Sequence, residues 1–178
     1  MKFEEIYSLS TENHGIVTSY RARELGVRDK DLMRWVKIGR LMKIGYGVYR
    51  TTQYPFSEDD AFANAVAVAG PKAYLCGESV LGLLKLMTAV DLRRFHVAVP
   101  VRCRRKLPQE IKVEIHSAKY VPTKHDGIPI QKPADAIRQC IGTIMSSRLE
   151  DATNEAYRTG KIFKEQHNDL LTEIRRHA

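Results

Sequence analysis

The 178-residue chain has three cysteines, one tryptophan and no CxxC pair. Cys76, Cys103 and Cys140 are odd in number and far apart. That pattern argues against a zinc ribbon or a disulfide framework and leaves three reduced, mostly buried thiols. No apolar run approaches the roughly 20 residues that a spanning helix needs. The first ten residues, MKFEEIYSLS, lack a signal peptide's apolar region and carry two acids. The expectation is a cytoplasmic chain with no membrane partner. The histidines at 14, 96, 116, 125, 167 and 177 show no HxH or HExxH spacing, so no metal ligands are assigned. His96 and His116 alternate with apolar residues and read as packed or surface side chains. No phosphate-binding GxxxxGK[ST] occurs, and Ser79 in CGESV lacks the glycine of a nucleophile elbow. Ser79 reads as helping to start a helix. No catalytic residue and no cofactor follow from these patterns.

What is present is positive charge, and it is concentrated. The whole chain carries +8. Between residues 21 and 50 stand Arg21, Arg23, Arg28, Lys30, Arg34, Lys37, Arg40, Lys43 and Arg50, against Glu24, Asp29 and Asp31, a net +6. Such a balance favours a polyanionic partner, and nucleic acid is the one that remains.

The periodicity predicts a first helix from Lys2 to about Asn13, stopped by His14-Gly15. Ile16-Val17 can extend. Thr18 or Ser19 caps a helix from Tyr20 to Leu25, Gly26 follows it, and a second helix runs from Arg28 or Asp29 to about Ile38. Gly45-Tyr46-Gly47 signals a hairpin within Arg40–Arg50. Residues 1–52 therefore read as a winged helix-turn-helix, and 53–56 as a linker. Residues 57–178 read as an α+β domain with a small sheet. In it, Ser57 caps a helix from Glu58 to Ala69, and a second helix spans Glu78 to about Met87. Strands fall at Phe95–Val101 and Ile111–His116, with a short edge strand at Gly127–Gln131 on account of Pro129. A helix starts at Lys132-Pro133, and the remainder is helical with a break near Thr159-Gly160.

At about 100° per residue, Lys30, Arg34 and Lys37 share one stripe of the second helix, opposite Leu32, Trp35 and Val36. A helix-turn-helix lays that helix in the major groove, where lysine and arginine reach phosphates or guanine edges. These three, with Arg28, are the candidates for base readout. Ser19, Arg21, Arg23, Arg40, Lys43, Tyr46 and Arg50 are the candidates for backbone contacts. Trp35, Leu25 and Val48 should be scaffold. A further basic run, Arg93, Arg94, Arg102, Arg104, Arg105 and Lys106, reads equally as a second phosphate contact and as a solvated loop.

The order V-T-x-x-x-A-x-E-L-G-V from Val17, followed by a basic helix and G-R-L-x-K-I-G-Y-G-V-Y-R from Gly39 to Arg50, resembles the N-terminal domain of the AbiEi antitoxins. Gly77-Glu78-Ser79 with Leu81, and Gly127-Ile128-Pro129-Ile130 with Pro133, are loosely similar to later parts of that family. The resemblance implies a bacterial type IV toxin–antitoxin system. Its antitoxin represses its own operon by binding inverted repeats in double-stranded DNA. It counters a nucleotidyltransferase-like toxin without a stable complex, and the C-terminal domain carries the antitoxicity. Arg28 departs from the pattern, standing where many relatives have Ser or Thr as the helix cap.

Two alternatives stay open. Some relatives continue into an endonuclease-like domain, and Asp91, Glu110 and Glu114 offer acids around two strands, with Lys112 beside them. An Asp…Glu-x-Lys order is absent, however, because Lys112 precedes Glu114. The other alternative is a module that only binds protein.

Overall fold

A computed structural model describes residues 2–88, 91, 93–101, 106–116 and 121–177. The fold is α+β, with a three-stranded antiparallel sheet near the amino end and a five-stranded mixed sheet beyond it.

The first helix, α1 (Lys2–Thr11), buries Phe3, Ile6 and Ser10. β1 (Ile16–Thr18) comes next, then α2 (Ser19–Glu24), α3 (Asp29–Lys37), β2 (Leu41–Gly45) and β3 (Val48–Thr51). Thr18 supplies the α2 cap, its Oγ1 accepting from the Arg21 N–H at 3.3 Å. Gly26 and Gly39 adopt the positive φ that ends each helix. The strand order is β1-β3-β2.

Register decides what each face of this sheet meets. Val17 pairs with Tyr49, Tyr49 with Lys43, and Leu41 with Thr51, so these share one face. Val17, Leu41 and Tyr49 pack with Phe3, Ile6, Leu32 and Trp35 in one cluster. Ile16, Val48 and Arg50 point the other way, and Ile16 and Val48 belong to the larger core. Residues 1–52 thus share a core with the carboxy-terminal two thirds of the chain.

The expected linker is docked as well. Arg50 Nη2 donates to the Pro55 carbonyl at 3.1 Å, and the guanidinium lies over the Tyr54 and Phe56 rings. α4 (Asp60–Ala69) begins two residues later than expected. Ser57 does not cap it. Instead the Ser57 N–H and hydroxyl both donate to the Asp60 carboxylate, at 2.9 and 2.8 Å. α4 touches strands of both sheets.

The second sheet runs β6-β5-β4-β8-β7, with β4 (Tyr74–Leu75), β5 (Phe95–Val99), β6 (Ile111–Ile115), β7 (Thr123–His125) and β8 (Ile128–Ile130). β8 is not an edge strand, since it pairs with both β4 and β7. Its ladder to β4 is one register pair, at Ile130, so Pro129 interrupts no continuous run of bonds. Polar β7 had no strand signal and exists by pairing with β8. α5 (Glu78–Leu83) is shorter than expected, closing before Lys85 at φ 55°. Ser79 lies in its first turn, but its hydroxyl accepts the His96 N–H at 2.7 Å and so ties α5 to β5. α6 (Pro133–Gln139), α7 (Ser146–Arg158) and α8 (Lys164–Arg176) complete the chain. The break at Thr159-Gly160 is present, and a second one separates α6 from α7. Leu149, Ala152, Leu170 and Ile174 bury the helices against the main core.

No described helix is long and apolar enough to cross a membrane. Cys76 and Cys140 are free and buried. Cys103, Arg102, Arg104 and Arg105 lie outside the described residues.

Candidate nucleic-acid interface

α3 is mounted by its apolar side. Leu32 is fully buried, and Trp35 meets Phe3 edge-on at 5.2 Å between ring centroids. That contact leaves Lys30, Arg34 and Lys37 exposed on the opposite stripe. The helix opens at Arg28, whose side chain makes no cap hydrogen bond. Arg28 Nε instead donates to Asp31 at 3.1 Å, and that bond holds the Asp31 carboxyl below its ordinary range.

The three acids of the basic window each take one arginine. Arg21 pairs with Glu24 at 3.1 Å, Arg23 with Asp29 at 2.6 Å, and Arg28 with Asp31. The Asp29 bond raises the Arg23 pKa further. Arg40 lies 4.8 Å over the Phe3 ring. Lys30, Arg34, Lys37 and Lys43 have no ion-pair or hydrogen-bond partner among the described residues. Lys43 is exposed and, being opposite Tyr49, projects on the sheet face that carries α3. These four side chains are therefore cations without a bonded partner on two packed elements, although Arg34 feels the nearby Asp31 charge.

The hairpin tip adds Tyr46, 84% exposed between two glycines. Ser19 sits against that tip. Its N–H donates to the Gly47 carbonyl at 2.8 Å, and its side chain is half-buried beside Gly47. It braces the turn more than it faces outward.

Two expectations need correction. Arg50 is only 1% exposed and turns away from the α3 face, its Nη2 donating to Asp60 Oδ2 at 2.6 Å. Alternation along β3 turns it to the other face of the sheet from Tyr49, so it cannot serve as a backbone contact beside Lys43. Leu25 is not scaffold. It is 38% exposed at the α2 C-cap, and Val27 takes the buried place. Trp35 and Val48 are buried as expected, Val48 in the core on the other side of the sheet. Arg93, Arg94 and Lys106 are exposed on the far sheet's approaches.

A second group of polar side chains was not foreseen. Glu114 on β6 is flanked by two histidines: His96 Nδ1 lies 3.2 Å from Oε1, and His116 Nε2 lies 3.7 Å from Oε2. Gln139 Nε2 donates to Oε2 at 2.5 Å. Behind them sits Cys76, fully buried, with its thiol pushed up to about 12 by burial and by the Glu114 charge. Burial, with Glu78 and Glu114 nearby, does the same to Cys140, also to about 12. A cavity of about 260 Å³ opens on Glu114 and His116. Apart from Glu114 and His116 these residues lie far apart in sequence, so the available signal was the alternation of polar residues along β5 and β6.

No protein-family description matches the chain, and no curated protein does. Among solved structures, it is similar to the crystal structure of the RV2827C protein from Mycobacterium tuberculosis. The two share 15% identity at a TM-score of 0.43, covering 94% of this chain and 79% of that one. A likeness of that degree carries no argument about function.

Proposed function

We propose that this chain is a sequence-specific DNA-binding repressor and the antitoxin of a type IV, AbiEi-like system, acting in the cytoplasm. Its amino-terminal unit is a winged helix-turn-helix, with α3 as the groove-entering helix and β2–β3 as the wing. The observation that carries this reading is the set of exposed cations without a bonded partner among the described residues, Lys30, Arg34, Lys37 and Lys43, on α3 and on the sheet face beside it. Acids on the same elements are already engaged by Arg21, Arg23 and Arg28, so little local charge offsets the four. In the groove, Arg34 and Lys30 read guanine edges and Lys37 reads bases or phosphate. Lys43, Arg40 and Tyr46 hold the backbone. The partner is an inverted-repeat operator in duplex DNA. The toxin, a nucleotidyltransferase-like enzyme, is opposed without a stable complex.

The test is binding of the purified protein to the DNA upstream of its own gene, against a shuffled duplex, over a salt series. Tighter binding to the upstream DNA, falling steeply with salt, supports the reading. Equal affinity for both duplexes, or wild-type affinity in Lys30→Ala and Arg34→Ala, overturns it.

A further inference from the structure

One face of the five-stranded sheet concentrates chemistry that DNA binding does not use. Tyr74 pairs with Ala98 and Ala98 with Glu114, while the Cys76 N–H bonds the His96 carbonyl at 3.0 Å. The His116 N–H bonds the Val99 carbonyl at 3.0 Å, continuing the register. Tyr74, Cys76, His96, Glu114 and His116 therefore share a face, while Leu75, Val97 and Val99 fill the core on the other.

We propose that Cys76, Glu114 and His116 bind a divalent cation of the zinc class, with the fourth coordination position open to the adjoining cavity. One donor atom from each of the three lies within 4.8 Å of the others. His116 Nε2 and Glu114 Oε2 are 3.7 Å apart, and a small shift brings them to the about 3.3–3.6 Å that bonds of about 2.0–2.2 Å span in a tetrahedron. A sulfur, an imidazole and a carboxylate together suit zinc and disfavour magnesium or calcium, which take oxygen donors.

The surroundings match what ligands need. His116 Nδ1 is hydrogen-bonded to the Tyr74 hydroxyl at 3.0 Å, which orients the ring with Nε2 on the Glu114 side. Glu114 is held from both sides, by His96 at Oε1 and by Gln139 at Oε2. Gln139 Oε1 is buried without a hydrogen-bond partner, next to the cavity wall that Glu114 and His116 form. A water in the fourth position could donate to it. Cys76 closes the inner end. Three protein ligands and one open position are the arrangement of zinc sites that activate water or take up a ligand.

The experiment titrates reduced, tag-free, chelator-stripped full-length protein with Co²⁺ and follows absorbance, then displaces it with Zn²⁺. One equivalent is expected to give a near-ultraviolet sulfur-to-cobalt charge-transfer band and the visible bands of a four-coordinate ion, both removed by Zn²⁺. Cys140→Ser should retain both, Cys76→Ser should lose the charge-transfer band, and His116→Ala should lose the visible bands. Circular dichroism identifies any variant that fails to fold. The wild-type and Cys140→Ser spectra test the site without touching a proposed ligand. No bands at stoichiometric Co²⁺ in wild type, or a charge-transfer band that disappears with Cys140→Ser, overturns the proposal. DNA binding is read separately, so failure here leaves the repressor reading intact.

Discussion

Arg50 Nη2 donates to Asp60 Oδ2 at 2.6 Å in a site where both side chains are nearly inaccessible. This bond crosses from the last strand of the amino-terminal sheet to the first turn of α4. His14 Nδ1 approaches the other Asp60 oxygen at 3.5 Å. Losing one partner strands the other charge away from water. Arg50→Ala or Asp60→Ala should cost about 3–5 kcal/mol. The pair Arg50→Met with Asp60→Leu should cost less than either single change. Urea unfolding midpoints of the three proteins decide this.

A second joint lies at Gly45. A Cβ there would come within 2.8 Å of Val68 Cγ2 on α4. Gly45→Ala should therefore destabilise by about 1–3 kcal/mol through overpacking. In a Val68→Ala background the same change should cost markedly less. Equal costs in both backgrounds would mean that Gly45 is needed for its backbone alone.

The cations should separate by their partners. Arg34→Ala should weaken operator binding by about 1–3 kcal/mol and relax base preference. Lys43→Ala should weaken all duplexes alike and lower the salt slope by about 1. Arg28→Ala should matter less than Arg34→Ala, because Arg28 is held by Asp31. Fluorescence anisotropy over a salt series measures all three.

The buried thiols set an alkaline limit in the metal-free, reduced protein. Cys76 and Cys140 are raised to about 12 in the fold, against about 8.5 in an unfolded chain. Below the unfolded value both states hold the proton, and the contribution to stability is fully present. As pH rises from there toward the folded value, the unfolded state ionises first and stability falls. Urea midpoints should drop across that range, less steeply in Cys140→Ala. An identical slope in the variant would remove Cys140 from this account.

The acid limb carries a smaller effect of opposite sense. Arg138 donates to both Glu173 oxygens, at 2.8 and 3.0 Å, which lowers the Glu173 pKa and joins α6 to α8. Its stabilisation is present above the unfolded carboxyl value and lost as pH falls through the lowered one. Glu173→Gln should flatten the acid dependence of the unfolding midpoint without altering its alkaline side.

Local chemistry made the amino-terminal elements legible. The glycines at 26 and 39, the Thr18 cap and the apolar spacing of Leu32 and Trp35 act within a turn or two of chain, so helix ends and the basic stripe follow from neighbours alone. The fate of Arg50 does not follow from them, because it depends on which helix covers the far face of β3. The polar strand β7 and the interior place of β8 likewise come from pairing partners, for β8 tens of residues away in the chain.

The amino-acid order by itself determined the charge on α3 and the residues free to carry it outward, since a helix fixes the angle between its own side chains. Only tertiary structure decided that Arg50 is buried and that Cys76, Glu114 and His116 meet. Those depend on strand register, which is set by the packing of whole faces and leaves no mark in any short stretch of sequence.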